Sequence, residues 1–127
     1  MAEQFDTKKE FSLAKRVESF GHASRGIAIF LKKTHNAWIQ LVVFAVVIFF
    51  GFYLNVSTTE WALLIFAGGL VLSAEAFNTA IEIDMDLTSP EYHPFARDTK
   101  DVAAGAVLLS AVTAVIIGLL VFIPHVL

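Results

Sequence analysis

The sequence predicts an all-α membrane protein: an N-terminal amphipathic surface helix followed by three transmembrane helices. Three observations predict it. Hydrophobic residues make up 57% of the 127 positions and charged residues only 17%, where a soluble domain averages about 45–50% and about 25%. The apolar excess collects in three runs, each near the ~20 residues needed to cross ~30 Å of hydrocarbon. Basic residues crowd ahead of the first run, as they do on the cytoplasmic side of membrane proteins.

Residues 1–10 are polar and are expected to be poorly ordered. From 11 to 33, Leu13, Val17, Phe20, Ile27 and Leu31 recur at helical spacing on one face, while Lys15, Arg16, Glu18, Arg25 and Lys32 lie largely elsewhere. Such a helix lies in the interface plane with its apolar face down. The spans are expected at 37–54, 61–85 and 102–123, with Trp38, Tyr53 and Trp61 near their ends as interfacial aromatics. Small residues, Gly68, Gly69, Ser73 and Ala74 in the second span and a series from Ala103 to Gly118 in the third, let helices approach closely. The whole chain, 1–127, reads as a single domain.

Charge orients the spans. Residues 1–33 hold seven bases and four acids, a net +3, and the remainder holds two bases and eight acids, a net −6. The 55–60 loop has no Lys or Arg, whereas the 86–101 loop has Arg97 and Lys100. The N-terminus and the second loop are therefore expected in the cytoplasm. A basic head on an acidic body suits an anionic lipid surface, and the net charge of −3 argues against nucleic acid. The absence of cysteine excludes disulfides, thiolate metal sites and a cysteine nucleophile. No cleavable signal peptide is expected.

The chemistry concentrates at the end of the second span. Glu75, Asn78, Glu82 and Asp86 stand at i, i+3, i+7 and i+11, within about 80° of arc on one helix face. Glu75 lies inside the apolar run, where a carboxylate is costly unless paired or wetted and is a functional hypothesis by default. Asp84 points off that face. His93, Lys100 and Asp101 return beside it from the loop and the start of the third span. Carboxylates with an amide suit Mg²⁺, a lysine suits phosphate, and a buried carboxylate suits a general base. These are the parts that phosphoryl transfer needs. There is no G-x-x-x-x-G-K-S/T loop and no kinase-type glycine loop, so a nucleotide site here is not a standard one. Spacing alone leaves lipid phosphotransfer, ion or proton transport and structural pairing open. Glu60, Glu91 and Asp98 read as loop charges, His22 and His35 as polar-face residues and His125 as an exposed tail residue.

These residues resemble a known family. Glu75-Ala-Phe-Asn78-Thr79-Ala80-Ile81-Glu82 followed by Asp86, then Glu91-Tyr92-His93, Ala96 and Lys100-Asp101-Val-Ala-Ala-Gly105-Ala106, is similar to the signature of the bacterial integral-membrane diacylglycerol kinase and undecaprenol kinase family. Ser19-Phe20, Ala23 and Arg25-Gly26-Ile27 are similar to its amphipathic segment, and His35-Asn36-Ala37-Trp38 to the start of its first span. The resemblance covers about residues 11–123.

It implies a homotrimer with active sites shared between neighbouring subunits in the bacterial inner membrane. It implies Mg-ATP as donor and a membrane-embedded lipid alcohol as acceptor, so that the chain is a lipid kinase. It implies Glu75 as general base beside the lipid hydroxyl, Glu82 as Mg²⁺ ligand, Asn78 orienting the base and the phosphates, and Lys100 holding phosphate. Asp101, Asp86 and His93 would line the nucleotide end. Pro90-Glu91-Tyr92-His93-Pro94 looks more like the undecaprenol branch than the diacylglycerol branch. A non-enzymatic or ion-transporting membrane protein is the alternative from another class. One departure stands out. Thr34 occupies a position where the family often has a metal-binding glutamate and offers only a hydroxyl, so that water or Gln40 compensates or metal affinity is weaker.

Overall fold

The computed structural model describes residues 12–127, and within them the chain forms four α-helices. The expectation for residues 1–10, and the first residue of the expected surface helix, lie outside this range. Helix α1 spans Leu13–Lys33, α2 His35–Tyr53, α3 Thr58–Thr88 and α4 Pro94–Val126. Helices α2, α3 and α4 are each long and apolar enough to cross a membrane.

Each helix is delimited by local chemistry. Ser12 caps α1 by accepting from the Lys15 amide, satisfying one of the orphan donors of a first turn. A single extended residue, Thr34, separates α1 from α2, and its amide donates to the Phe30 carbonyl. The Trp38 indole N–H donates to the Leu31 carbonyl at 2.7 Å across the same corner. Between α2 and α3, Asn55 takes a positive φ of 51°, a conformation that Asn tolerates better than most residues. Ser57 then caps α3: its hydroxyl accepts from the Glu60 amide and donates to Glu60 Oε1. His93 caps α4 by accepting from the Phe95 amide, with Pro94 at the first helical position, where its missing N–H costs nothing.

Three boundaries around the loops differ from expectation. Helix α3 runs on to Thr88 and α4 already begins at Pro94, so the expected 86–101 loop shrinks to 89–93. Lys100 and Asp101 therefore sit inside α4, not at its start. The ~20-residue rule counts only hydrocarbon, and outside it a well-capped helix continues through polar residues. The 55–60 loop shrinks for the same reason, which puts Glu60 in the first turn of α3 and not in a loop.

The antiparallel pair α3–α4 makes the most extensive helix contact, and α2 leans on α3. Glycines permit that second approach. A Cβ on Gly68 would strike the Phe44 ring, and one on Gly51 would strike the Trp61 ring. Gly69, Gly105 and Gly118 have open space instead, so of the glycines expected to mark helix contacts only Gly68 lies against a neighbour. Val56, Leu64 and Val121 are buried at the end distant from the 89–93 loop, with Val47, Leu54, Trp61, Ile117 and Phe122 around them. At that end His125 Nε2 lies 2.7 Å from Glu60 Oε2, joining the last turn of α4 to the first turn of α3. His125 is exposed, as expected, and its ring is tied to Glu60.

Candidate active site

Helix α3 carries the polar face through the bundle. Glu75 and Asn78 are buried, at 4% and 8% exposure, as is Thr79, while Glu82 and Asp86 are exposed nearer the 89–93 loop. Thirteen residues separate Glu75 from the end of α3, about 20 Å along the axis. The face therefore runs from an enclosed carboxylate to an open, acidic mouth.

At the enclosed end, Gln40 of α2 donates its amide N–H to Glu75 Oε2 at 3.1 Å. Gln40 Oε1 is buried without a partner. One turn further, Asn78 Nδ2 donates to Glu82 Oε1 at 3.4 Å, and Asn78 Oδ1 is likewise buried without a partner. Asn78 thus contacts Glu82 and makes no hydrogen bond to Glu75. The Thr34 hydroxyl lies 2.7 Å from the Thr79 hydroxyl. The corner between α1 and α2 is thereby pinned to α3 beside the site, at the position where the family resemblance implies a metal-binding carboxylate.

At the open end, Lys100 Nζ of α4 donates to Asp86 Oδ1 of α3 at 2.5 Å. Arg97 and Asp101 stand 3.8 Å apart one turn apart on α4. Both expected nucleotide-end acids thus face a base. A crevice of about 310 Å³ lies here, lined by Asp86, Glu91, Tyr92, His93, Arg97, Lys100 and Asp101 among others. His93 lines it while its Nδ1 serves as the α4 cap. A second, almost wholly apolar cavity of about 340 Å³ lies between α2, α3 and α4, with Gln40 as its polar residue and Leu64, Gly68, Leu72, Val115 and Phe122 among its walls.

Among the described residues, no three His, Cys, Asp or Glu side chains converge as a ready metal cage. The donor set still fits one hard cation. The exposed Glu82 carboxylate is one oxygen donor, the Asn78 amide beside it carries a buried oxygen without a partner, and Mg²⁺ characteristically takes one or two protein carboxylates and completes its shell with water and phosphate oxygens. Gln40 is committed to Glu75, and Thr34 to Thr79.

Sequence reasoning missed Thr79 and the direct bond between Gln40 and Glu75. A signal existed for Gln40, since a lone glutamine in an apolar run needs a polar partner on a neighbouring helix.

A buried carboxylate on a helix of membrane-spanning length, with a crevice of acidic and basic side chains near its end, supplies the kinds of groups that phosphoryl transfer needs. A sequence profile of prokaryotic diacylglycerol kinases matches residues 21–122, and the chain belongs to that family and is a lipid kinase. It is 40% identical over 107 residues to an undecaprenol kinase of Bacillus subtilis, covering 84% of this chain and 87% of that protein. It is 36% identical over 107 residues to a diacylglycerol kinase of Synechocystis, covering 84% of this chain and 61% of that one. A diacylglycerol kinase of Helicobacter pylori is 36% identical over 78 residues, 61% of each chain. The chain thus spans less than two thirds of the length of these two diacylglycerol kinases and most of the length of the undecaprenol kinase.

Proposed function

We propose that the protein transfers the γ-phosphoryl group of ATP to the hydroxyl of a membrane lipid alcohol, with undecaprenol as the favoured acceptor. The observation that carries this reading is Glu75: a carboxylate at 4% exposure inside a membrane helix, on the face that leads through Asn78 and Glu82 to the Lys100 crevice. Structural pairing accounts poorly for it, because a buried carboxylate held by one amide is not neutralised. The undecaprenol preference is supported by the near full-length similarity to the undecaprenol kinase and by the Pro90-Glu91-Tyr92-His93-Pro94 segment.

In the proposed reaction the lipid hydroxyl reaches Glu75 from the hydrocarbon side. Its O–H proton passes to Glu75 as its oxygen bonds to the γ-phosphorus and the bond to the β-phosphate oxygen breaks, releasing ADP. Lys100 turns from Asp86 to the phosphoryl oxygens, which carry the charge of the transition state. Asp86 keeps the lysine stationed at the mouth before ATP arrives. Asp101 and His93 border the nucleotide end, and the Asn78 amide N–H donates toward the phosphates. Glu82 and Asn78 would hold Mg²⁺, which when bound neutralises phosphate charge and orients the transferring group.

The same reading makes residues 1–127 one domain, with α1 as a surface helix: Leu13, Val17, Phe20 and Ile27 are exposed on it, an apolar face for the headgroup boundary beside its lysines and arginines. The N-terminus and the crevice face the cytoplasm across a bacterial inner membrane, following the basic residues. A homotrimer with shared sites encloses the open mouth at Glu82 and Asp86.

The test is transfer of radiolabelled phosphate from ATP to undecaprenol and to diacylglycerol by the purified protein with Mg²⁺. Label on undecaprenol is expected. Label on diacylglycerol alone would replace the acceptor and keep the reaction; label on neither would overturn the reading.

A further inference from the structure

Glu75 has one hydrogen-bond partner among the described residues, the Nε2 amide of Gln40. We infer that Gln40 is a positioning residue, holding the Glu75 carboxylate in the orientation in which it receives the acceptor's proton. The inference rests on the reading of Glu75 as the base.

Three observations favour this role over simple helix glue. The contact between α2 and α3 is already made by Gly68 against Phe44 and by Gly51 against Trp61, so the amide is not needed to hold the helices together. The other half of the amide is left unsatisfied: Gln40 Oε1 is buried with no partner. A side chain kept only for packing would do better without that orphan, because an unmade buried hydrogen bond is costly and an apolar replacement of the same shape is not. Finally, Gln40 borders the apolar cavity between α2, α3 and α4, on the side from which a lipid chain would bring its hydroxyl.

The chemistry of an amide suits a base that changes its protonation state. Its N–H donates to the carboxylate before proton transfer. Turned over about its last torsion, the same group presents Oε1 to the carboxylic acid formed afterwards, since an amide carries both donor and acceptor. One side chain thereby partners Glu75 on both sides of the step, and neither form is left alone in a medium of low dielectric. A lysine or arginine would hold only the charged form.

The test uses the full chain in detergent–lipid micelles with undecaprenol and Mg-ATP. Gln40→Met keeps the length of the side chain and removes the donor. Gln40→Asn keeps an amide but withdraws it by one methylene, and serves should the first variant fold poorly. Each is expected to lower kcat by about tenfold to a hundredfold, the rate equivalent of one hydrogen bond to a charged group. KM for ATP should stay within about twofold, because the nucleotide end is untouched. Glu75→Gln is measured in parallel. If it is inactive and both Gln40 variants keep the wild-type kcat, the positioning role is overturned while the base stands. If the Gln40 variants lose activity through KM for ATP, the role is also overturned, the residue then acting on structure at large. If Glu75→Gln itself turns over, the base reading falls and the inference with it.

Discussion

Replacing Thr34 with valine keeps the shape of the side chain and deletes one hydroxyl. That hydroxyl bonds Thr79 at 2.7 Å, 45 residues away, and Thr79 is 7% exposed. Stranding a buried hydroxyl costs about 1–3 kcal/mol. The lower end applies here, because a helical threonine has a fallback. Ser19, Ser24, Thr88, Thr99, Ser110 and Thr113 all donate to the carbonyl four residues back, and Thr79 can rotate to do the same. The expected loss is about 1 kcal/mol, or roughly 3–5 °C in Tm for a chain of this length. Thr79→Val should cost a similar amount. The double variant should cost less than the sum, because neither partner is then orphaned. Thermal unfolding in detergent measures all three, and a Mg²⁺ titration of activity accompanies them. Since Thr34 is committed to Thr79, Thr34→Val should leave the Mg²⁺ requirement unchanged. Unaltered stability would refute the hydroxyl pair. A raised Mg²⁺ requirement would refute the claim that Thr34 stands outside the metal's shell.

Other substitutions separate the parts of the site. Glu82→Ala should raise the Mg²⁺ concentration needed for half-maximal activity; an unchanged titration removes it as a ligand. Lys100→Met should lower kcat/KM for ATP by about tenfold to a hundredfold, with little change in stability, because its pair with Asp86 is open to solvent and solvent screens such pairs. Gly68→Ala should destabilise by about 1–3 kcal/mol, since the new methyl meets the Phe44 ring. The adjacent Gly69→Ala has open space and should be neutral or stabilising by up to about 1 kcal/mol.

The sequence carried most of the architecture. Apolar run length locates spans because hydrocarbon thickness is fixed, and helical spacing puts Glu75, Asn78, Glu82 and Asp86 on one face because the helix repeat is fixed. The helix ends were less legible. Charged residues such as Lys100 and Asp101 read as a boundary, yet a helix capped by His93 and Pro94 continues through them outside the lipid. Tertiary pairs were not legible at all. Gln40 and Glu75 are 35 residues apart, and Glu60 and His125 are 65 apart. Such partners depend on how α2 and α4 rotate against α3. Side-chain packing sets that rotation, as with Phe44 seated on Gly68, and periodicity within one helix carries no information about it.

The central claim is that Glu75 takes the proton of the lipid hydroxyl, and Glu75→Gln tests it most directly. The substitution keeps the size of the side chain and removes the base. With undecaprenol and Mg-ATP, turnover should fall by at least about a hundredfold while ATP binding, followed by nucleotide protection against thermal unfolding, is retained. Turnover within about tenfold of the wild type, in protein free of contaminating kinase, would contradict the account.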